Sequence, residues 1–334
     1  MPDATPTSTA QPSPARRSKA WIAVQLVVAA IVFGSIAVTL SRDWQDFRRQ
    51  PLAVHPDWRY VLLSGVVVLA AYALLIEVWR RIVAAWEASI SYGDATRIWF
   101  VSNLGKYVPG KVWQILAMGK MAEAVNVPPA AAAGSAILST IVNIGVGFAV
   151  AIVAGWGAIN TISGGYAPLA ALLVVAIIGG TLLLPFVIPM LVRVGERLTR
   201  RSFNLGMLPR RAVYIAIVGN AIAWVLYGWS FELLVRGVLG SARGNLADYV
   251  SAYALSYVIG YLAFLVPGGL GLREGVQTLA LNTMGLATLP QAAVVAITSR
   301  LWLTVLEIVP GLLYLIRSAR LRPKSRILRD GSKT

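Results

Sequence analysis

Long runs of hydrophobic residues dominate the chain and predict membrane-spanning helices. Six runs contain about 20 residues or more and almost no charge, which is the length that crosses a hydrocarbon layer as a helix. They are Ala20 to Leu40, Tyr60 to Trp79, Ala130 to Gly155, Tyr166 to Val192, Ala212 to Val235 and Ala287 to Ile316. The runs lack the alternation of apolar and polar positions that membrane barrel strands show. The pattern therefore predicts an all-α polytopic membrane protein.

Two further apolar segments are interrupted by proline and glycine, at Val108-Pro109-Gly110 and at Val266-Pro267-Gly268. Backbone that leaves the helix at membrane depth is tolerated only where protein or a watery cavity satisfies its polar groups. We expect Ile98 to Met118 and Tyr249 to Met284 to form re-entrant hairpins, the first entering from the cytoplasm and the second from outside. Two tilted spans per segment are the alternative, which would give eight or more spans.

The two halves of the chain share an ordered set of matches. The pattern Tyr72-x4-Glu77-x3-Arg81 returns as Tyr227-x4-Glu232-x3-Arg236, 155 positions later. Further matches follow in the same order at displacements of 154 to 163 positions: Asp94 with Asp248, Gln114 with Gln277, and Pro128 with Pro290. Each half would hold three spans and one hairpin, and an odd number of spans turns the second half upside down. The pattern predicts an inverted repeat of residues 20–160 and 161–317.

The net charge of +16 follows from 30 basic and 14 acidic residues. In a soluble chain this excess would suggest nucleic acid, but here the distribution along the spans explains it and no nucleic-acid partner is expected. With six alternating spans, most basic residues fall on one side, including those of a disordered lead (1–19) and a tail (318–334). The positive-inside rule then places both termini in the cytoplasm, with the chain in the cytoplasmic membrane.

The first apolar run has a second interpretation as a signal peptide, because Ser35-Ile36-Ala37 is a tolerable cleavage site. Its length of about 20 residues exceeds the usual 7 to 15 of such a region, so we favour an uncleaved anchor. The chain has no cysteine, which excludes disulfides, thiolate metal sites and thiol nucleophiles. No nucleotide or metal motif is present in the sequence, and we expect neither a cofactor nor a metal.

Basic residues lie next to both Pro-Gly interruptions and predict a phosphate site. A helix that restarts after each turn presents free amide groups, whose partial positive charge attracts anions. The candidate phosphate ligands are Lys106, Lys111, Arg273 and Arg300, and the candidate turn or hinge residues are Pro109, Gly110, Pro267, Gly268, Gly269 and Gly271. The alternative is that glycine and proline only bend the chain while the lysines extend to the interface.

Four carboxylates in or near the spans are candidates for contact with a cationic headgroup or for proton coupling: Glu77, Glu232, Glu274 and Glu307. Carboxylates at membrane depth are costly unless they are paired or functional. Glu77 and Glu232 each have an arginine four residues on, so a local ion pair is an equal alternative. Arg300 and Glu307 are seven residues apart and share a helix face, while Arg273 and Glu274 have the option of neutralising each other.

Two stretches carry a family resemblance: residues 105–113, Gly-Lys-Tyr-Val-Pro-Gly-Lys-Val-Trp, and residues 266–275, Val-Pro-Gly-Gly-Leu-Gly-Leu-Arg-Glu-Gly. They resemble the lysylphosphatidylglycerol synthase transmembrane family. That family is the flippase-like membrane half of a bifunctional aminoacyl-phospholipid synthase and flippase. The resemblance covers roughly Ala20 to Arg317 and implies lipid translocation between leaflets. The bifunctional proteins also carry a cytoplasmic transferase domain, whereas no inter-span segment here is long enough for a domain of about 50 residues.

These observations lead to three functional hypotheses. The first is a lipid flippase or scramblase-like transporter, not an enzyme, whose ligand is an anionic or aminoacylated phospholipid and whose candidate partner is a separate lipid-synthesising enzyme. The second is a membrane-embedded transferase acting on a lipid-linked carrier, with Glu274 or Glu307 as base. The third is a non-transporting subunit that binds anionic lipid through its basic cytoplasmic segments.

The topology can be tested directly, because a chain without cysteine gives no background in thiol labelling. We expect a cysteine at Ser332 to react with an impermeant maleimide only when the cytoplasmic side is exposed. A cysteine at Arg243, in a loop on the opposite side, should react in intact cells. Labelling of both positions from the same side would contradict the assignment, and the unsubstituted chain serves as the control.

Overall fold

The computed structural model describes residues 56–86, 88–107, 112–157, 159, 167–199, 210–263 and 271–320. Within these ranges the chain forms nine α-helices and one 3-10 helix, and the described residues contain no strand. In chain order the elements are α1 (Trp58–Ala84), α2 (Tyr92–Asn103), a 3-10 helix (Leu104–Tyr107), α3 (Val112–Glu123), α4 (Pro129–Ala154), α5 (Ala167–Thr199), α6 (Arg210–Leu239), α7 (Leu246–Leu262), α8 (Leu272–Thr283) and α9 (Leu289–Arg320).

Four of these helices are long and apolar enough to cross a membrane, which confirms the all-helical membrane class. They contain the segments Trp58–Ala84, Ala131–Ala154, Arg210–Leu239 and Leu289–Arg317, and each coincides with one of the six predicted spans. A fifth predicted span coincides with α5, where the apolar run is the shorter Pro168–Leu184. The sixth, from residue 20 to residue 40, lies outside the described residues, as do the predicted lead and most of the tail.

The helices α2 and α7 begin in the same way, at the positions where the sequence repeat matched Asp94 with Asp248. Ser91 caps α2, and its hydroxyl accepts a hydrogen bond from the Asp94 backbone N–H at 3.1 Å. Asn245 caps α7, with reciprocal bonds between its own groups and those of Asp248. In both helices the aspartate lies in the first turn, where the positive end of the helix dipole stabilises it.

Each interrupted segment forms two short helices on either side of its break. The helices α2, α3 and α8 contain 12 residues each and α7 contains 17. At 1.5 Å per residue they are about 18 Å and about 25 Å long, shorter than the ~30 Å hydrocarbon layer. The helix α2 packs against α3, and α7 packs against α8. The turns themselves, residues 108–111 and 264–270, lie outside the described residues.

The helices α1 and α6 pack against each other along their length in opposite directions. At one end, the Asp57 backbone N–H donates to the Gly237 carbonyl oxygen at 2.9 Å. At the other end, Gly219 contacts Val78, and a Cβ atom added at Gly219 would collide with that side chain. Small residues at a helix interface allow the backbones to approach closely. This strengthens the van der Waals packing that contributes to helix association in lipid.

The remaining helices surround this pair in a reciprocal arrangement. The helix α4, which follows the first interrupted segment, packs against α7 of the second segment. The helix α9, which follows the second interrupted segment, packs against α2 of the first segment. Gly147 permits the first of these contacts, because a Cβ there would lie 2.7 Å from both Trp224 and Val258. The interior of the bundle is therefore built from both halves of the chain.

A glycine-to-alanine pair tests the close packing. A Cβ at Gly228 in α6 would lie 2.5 Å from the Val250 Cα in α7, whereas one at Gly179 in α5 has no neighbour within 4 Å. We expect Gly228→Ala to destabilise the protein by about 1–3 kcal/mol through overpacking, because a backbone atom cannot give way. Thermal unfolding in detergent measures this effect. Gly179→Ala is the matched control, and an equal effect of the two substitutions would contradict the packing described.

Candidate functional site

A cavity of about 230 Å³ lies in the interior of the bundle, and eight of the nine described α-helices contribute to its lining. Only α5 among them takes no part. Its walls combine aromatic rings with amide, hydroxyl and charged groups. The aromatic lining residues are Tyr72, Trp79, Trp99, Trp224, Tyr227, Tyr257 and Tyr261, and the polar ones are Asn103, Gln114, Ser139, Thr140, Asn143, Asn220, Arg273, Arg300 and Glu307.

The flanks of both interrupted segments reach this cavity. Before the first break lies Asn103 and after it Gln114, whose side-chain amide donates to the Asn103 side-chain oxygen. Before the second break lies Gly260 and after it Arg273, and a Cβ at Gly260 would be 2.8 Å from the Arg273 Cβ. The structure therefore places the two sequence interruptions around one internal space.

Arg273 is the most deeply buried charged group of the site. Its residue is 5% exposed, and its guanidinium lies over the rings of Tyr257 and Tyr253 at 4.7 and 5.2 Å from their centroids. Such contacts stabilise a desolvated cation by about 2 kcal/mol. The Nη2 atom has no hydrogen-bond partner among the described residues. A buried guanidinium with an unsatisfied N–H group is suited to bind an anionic ligand, to which that N–H would donate.

Glu274 and Arg300 form a buried pair beside Arg273. The Arg300 Nε lies 3.6 Å from the Glu274 Oε1, and the two side chains are 18% and 13% exposed. The other carboxylate oxygen of Glu274 accepts the backbone N–H of Gly271 at 2.6 Å. Gly271 precedes α8 with φ 83°, a conformation that glycine adopts without strain. Glu274 therefore caps α8 and pairs with Arg300, which was not among the predicted partners.

Glu307 lies in the cavity wall on α9 and connects the two halves. It accepts a hydrogen bond from the Tyr72 hydroxyl of α1 at 3.0 Å, across 235 positions of sequence. Arg300 lines the same cavity, as the shared helix face of the two residues predicted. A carboxylate in the interior of a membrane protein is expected to be bonded in this way or to serve a function.

Glu77 and Glu232 are in local ion pairs and do not line the cavity. Glu77 bonds Arg80 and Arg81, each through Nε at 2.7 Å. Glu232 bonds Arg236 at 3.1 Å. This arrangement corresponds to the alternative of a local ion pair at each glutamate. Arg80 is an additional partner of Glu77 that the repeated sequence pattern did not predict.

The remaining predicted site residues lie at the two turns. Lys106 lies in the 3-10 helix, of which only the backbone is described at that position. The rest fall outside the described residues: Pro109, Gly110, Lys111, Pro267, Gly268 and Gly269.

The sequence pattern did not predict an amide network that lies in the cavity wall. The Asn143 side chain of α4 donates to the Asn220 side-chain oxygen of α6 at 2.7 Å. Asn220 donates to the Ala216 carbonyl at 2.7 Å, and the Trp224 indole N–H donates to the Asn143 carbonyl at 3.1 Å. An asparagine in the middle of an apolar span is unusual enough to have marked these positions, because buried amides require partners.

A cluster of aromatic side chains was also missed. Tyr72 and Tyr227, equivalent residues of the sequence repeat, meet with ring centroids 6.1 Å apart. The cluster continues on one side to Trp99 at 5.1 Å from Tyr72, and on the other to Tyr253, stacked 5.6 Å from Tyr227. Aromatic residues at mid-span rather than at the span ends, where membrane anchors lie, were the available signal.

Comparison with protein families identifies the family of the chain. Residues 22–311 match the family model described as the lysylphosphatidylglycerol synthase TM region. The matched range includes every residue that lines the cavity and both interrupted segments. No curated protein matches the chain.

The amide network gives a quantitative prediction. We expect a double-mutant cycle of Asn143→Ala and Asn220→Ala to yield a coupling energy of about 0.6 kcal/mol, the usual size for interhelical hydrogen bonds in membranes. Thermal stability in detergent is the measurement. The control cycle combines Asn143→Ala with Ser230→Ala, whose hydroxyl instead donates to the Ser64 carbonyl, and this pair should be additive within about 0.3 kcal/mol. Additive behaviour of the first pair would contradict the network.

Proposed function

The chain belongs to the lysylphosphatidylglycerol synthase transmembrane family, and on that premise we propose that it moves a phospholipid between membrane leaflets as a flippase or scramblase-like transporter. Membership makes it an integral membrane protein of lipid metabolism or transport. The finer assignment rests on one observation, the cavity that holds a buried, incompletely bonded arginine within a bundle of membrane-spanning helices.

The cavity has the size and chemistry that a lipid headgroup requires. Its volume of about 230 Å³ is below the ~300 Å³ typical of sites that enclose a whole drug-sized ligand. A headgroup would enter while the acyl chains stay in the surrounding lipid. Polar walls then replace the water that the headgroup loses, which lowers the free-energy barrier to crossing the apolar layer.

We propose that the two halves, 20–160 and 161–317, form an inverted repeat with the cavity between them. Three observations support this. The equivalent residues Tyr72 and Tyr227 touch each other, α1 and α6 run in opposite directions, and the contact of α4 with α7 is matched by that of α9 with α2. The short helix pairs α2–α3 and α7–α8 would be the arms of two re-entrant hairpins.

In this proposal Arg273 binds the lipid phosphate and Arg300 supports it. Lys106 and Lys111 would approach from the first turn, and the glycine and proline residues of both turns would allow the hairpins to shift. Glu307 would meet a headgroup or a coupling proton, and Glu274 would hold α8 and Arg300 in position. Glu77 and Glu232 would anchor their helix ends at the interface through their arginine partners.

We further propose an orientation in the membrane and a partner for the protein. Both termini would lie in the cytoplasm, with the basic segments 1–19 and 318–334 next to anionic lipid of the cytoplasmic membrane. A separate enzyme that synthesises the transported lipid is the expected partner. No catalytic role is assigned to any residue of the site.

Lipid movement in vesicles tests the proposal. We expect the purified protein to increase the rate at which a labelled phospholipid moves between leaflets of reconstituted vesicles. Arg273→Gln should lower this rate about tenfold or more, because hydrogen bonds to charged groups contribute about 1.5–3 kcal/mol. Lys111→Ala is a second variant, and it should also lower the rate.

Arg243→Gln is the matched control, because Arg243 is exposed in the loop between α6 and α7, and it should move lipid at the unaltered rate. Absence of protein-dependent movement across a broad lipid panel would refute transport. Formation of a product from a lipid-linked donor would support the transferase instead.

A further inference from the structure

The polar groups of the cavity without partners are groups that donate hydrogen bonds. Among the described residues, three groups in its lining have no hydrogen-bond partner: the Arg273 Nη2, the Trp79 indole Nε1 and the Ser139 hydroxyl. Guanidinium and indole nitrogens only donate. Buried polar groups are almost always bonded to protein, water or ligand, so a ligand of this cavity must supply acceptor oxygens.

The carboxylates near the cavity are, in contrast, already engaged by the chain. Glu307, the carboxylate of the cavity wall, accepts the Tyr72 hydroxyl. Glu274 does not line the cavity: one of its oxygens accepts the Gly271 N–H, and the other, which has no hydrogen bond among the described residues, is paired in charge with the Arg300 Nε at 3.6 Å. A cationic headgroup would have to displace these partners to gain a counter-charge. Leaving a buried arginine or tyrosine unpaired in exchange costs as much as the new bond contributes.

The amide and hydroxyl groups form the remainder of the polar lining. Asn103, Gln114, Ser139, Thr140, Asn143 and Asn220 come from α2, α3, α4 and α6. Side-chain amides both donate and accept, as do hydroxyls, and they therefore match ligand hydroxyl groups in either direction. No charge is needed for this recognition.

We propose that the cavity selects a phosphodiester whose headgroup is uncharged and hydroxylated, such as a glycerol or other polyol, in preference to one that carries an ammonium group. This rests on the proposed function and names the substrate class of the same site. The phosphate bonds the Arg273 guanidinium. The Trp79 indole and the Ser139 hydroxyl donate to phosphate or headgroup oxygens, and the amide groups bond the headgroup hydroxyls.

Binding to the purified full-length protein tests the selectivity. A fluorescent short-chain phosphatidylglycerol is the probe, displaced by unlabelled phosphatidylglycerol, phosphatidylethanolamine or lysyl-phosphatidylglycerol. We expect phosphatidylglycerol to bind at least about tenfold more tightly than the two ammonium-bearing lipids. Trp79→Phe and Ser139→Ala should each weaken its binding about three- to tenfold, the usual effect of one hydrogen bond.

Two matched controls separate binding from folding. The Ser135 hydroxyl, one turn from Ser139 on α4, donates to the backbone carbonyl of Ala132. The Trp302 indole N–H donates to the Ser64 hydroxyl. Neither residue lines the cavity, so Ser135→Ala and Trp302→Phe should change binding less than about twofold. Equal affinity for the three lipids, or loss of binding in the controls to the same extent as in the cavity variants, would overturn the headgroup assignment.

The source of the phosphodiester is resolved by a soluble competitor. Glycerophosphoglycerol has the same headgroup without acyl chains and should compete only weakly if the ligand is a lipid. Competition as strong as that of phosphatidylglycerol would support the headgroup assignment and overturn a lipid as its source.

Vesicle assays with the same lipids separate this inference from the transport proposal. Selective binding without any movement would overturn transport and leave the headgroup assignment intact. Movement of all lipids at equal rates, unaffected by Trp79→Phe, would overturn the headgroup assignment and leave transport intact.

Discussion

The close antiparallel packing of α1 against α6 is the contact on which the rest of the bundle depends. Lipid is as apolar as a leucine side chain, so no hydrophobic force drives helices together within the membrane. Association requires close approach and interhelical hydrogen bonds instead. Gly219 and Gly237 provide the approach, and the Ser230 hydroxyl donates to the Ser64 carbonyl at 2.9 Å across the same interface. The other helices pack around this pair.

The same pair determines where the cavity lies. Tyr72 and Tyr227 meet at the middle of the α1–α6 contact, and both line the cavity. These two rings and the Asn220 amide of α6 form part of the cavity wall. Arg273 reaches the same cavity from the first turn of the short helix α8.

Much of the fold could be predicted because its causes are local in sequence. A run of about 20 apolar residues specifies a span by length alone, and four of the predicted runs are helices that can cross a membrane. Asp94 and Asp248, which the sequence repeat matched with each other, lie in the first turns of α2 and α7. The interruptions were visible as proline and glycine. Which helices pack together was not visible, because apolar side chains of similar size fit many neighbours.

The sequence alone determined the membrane class, the position of the two interruptions and the presence of Arg273, Arg300 and Glu307 in apolar segments, where charge is rare. Only the tertiary structure decided the partners of those charges. Glu274 pairs with Arg300 rather than Arg273, Tyr72 donates to Glu307, and Asn143 donates to Asn220. These bonds join residues 26, 235 and 77 positions apart. Burial in lipid requires every polar group to find a partner, but the helix packing determines which partner is within reach.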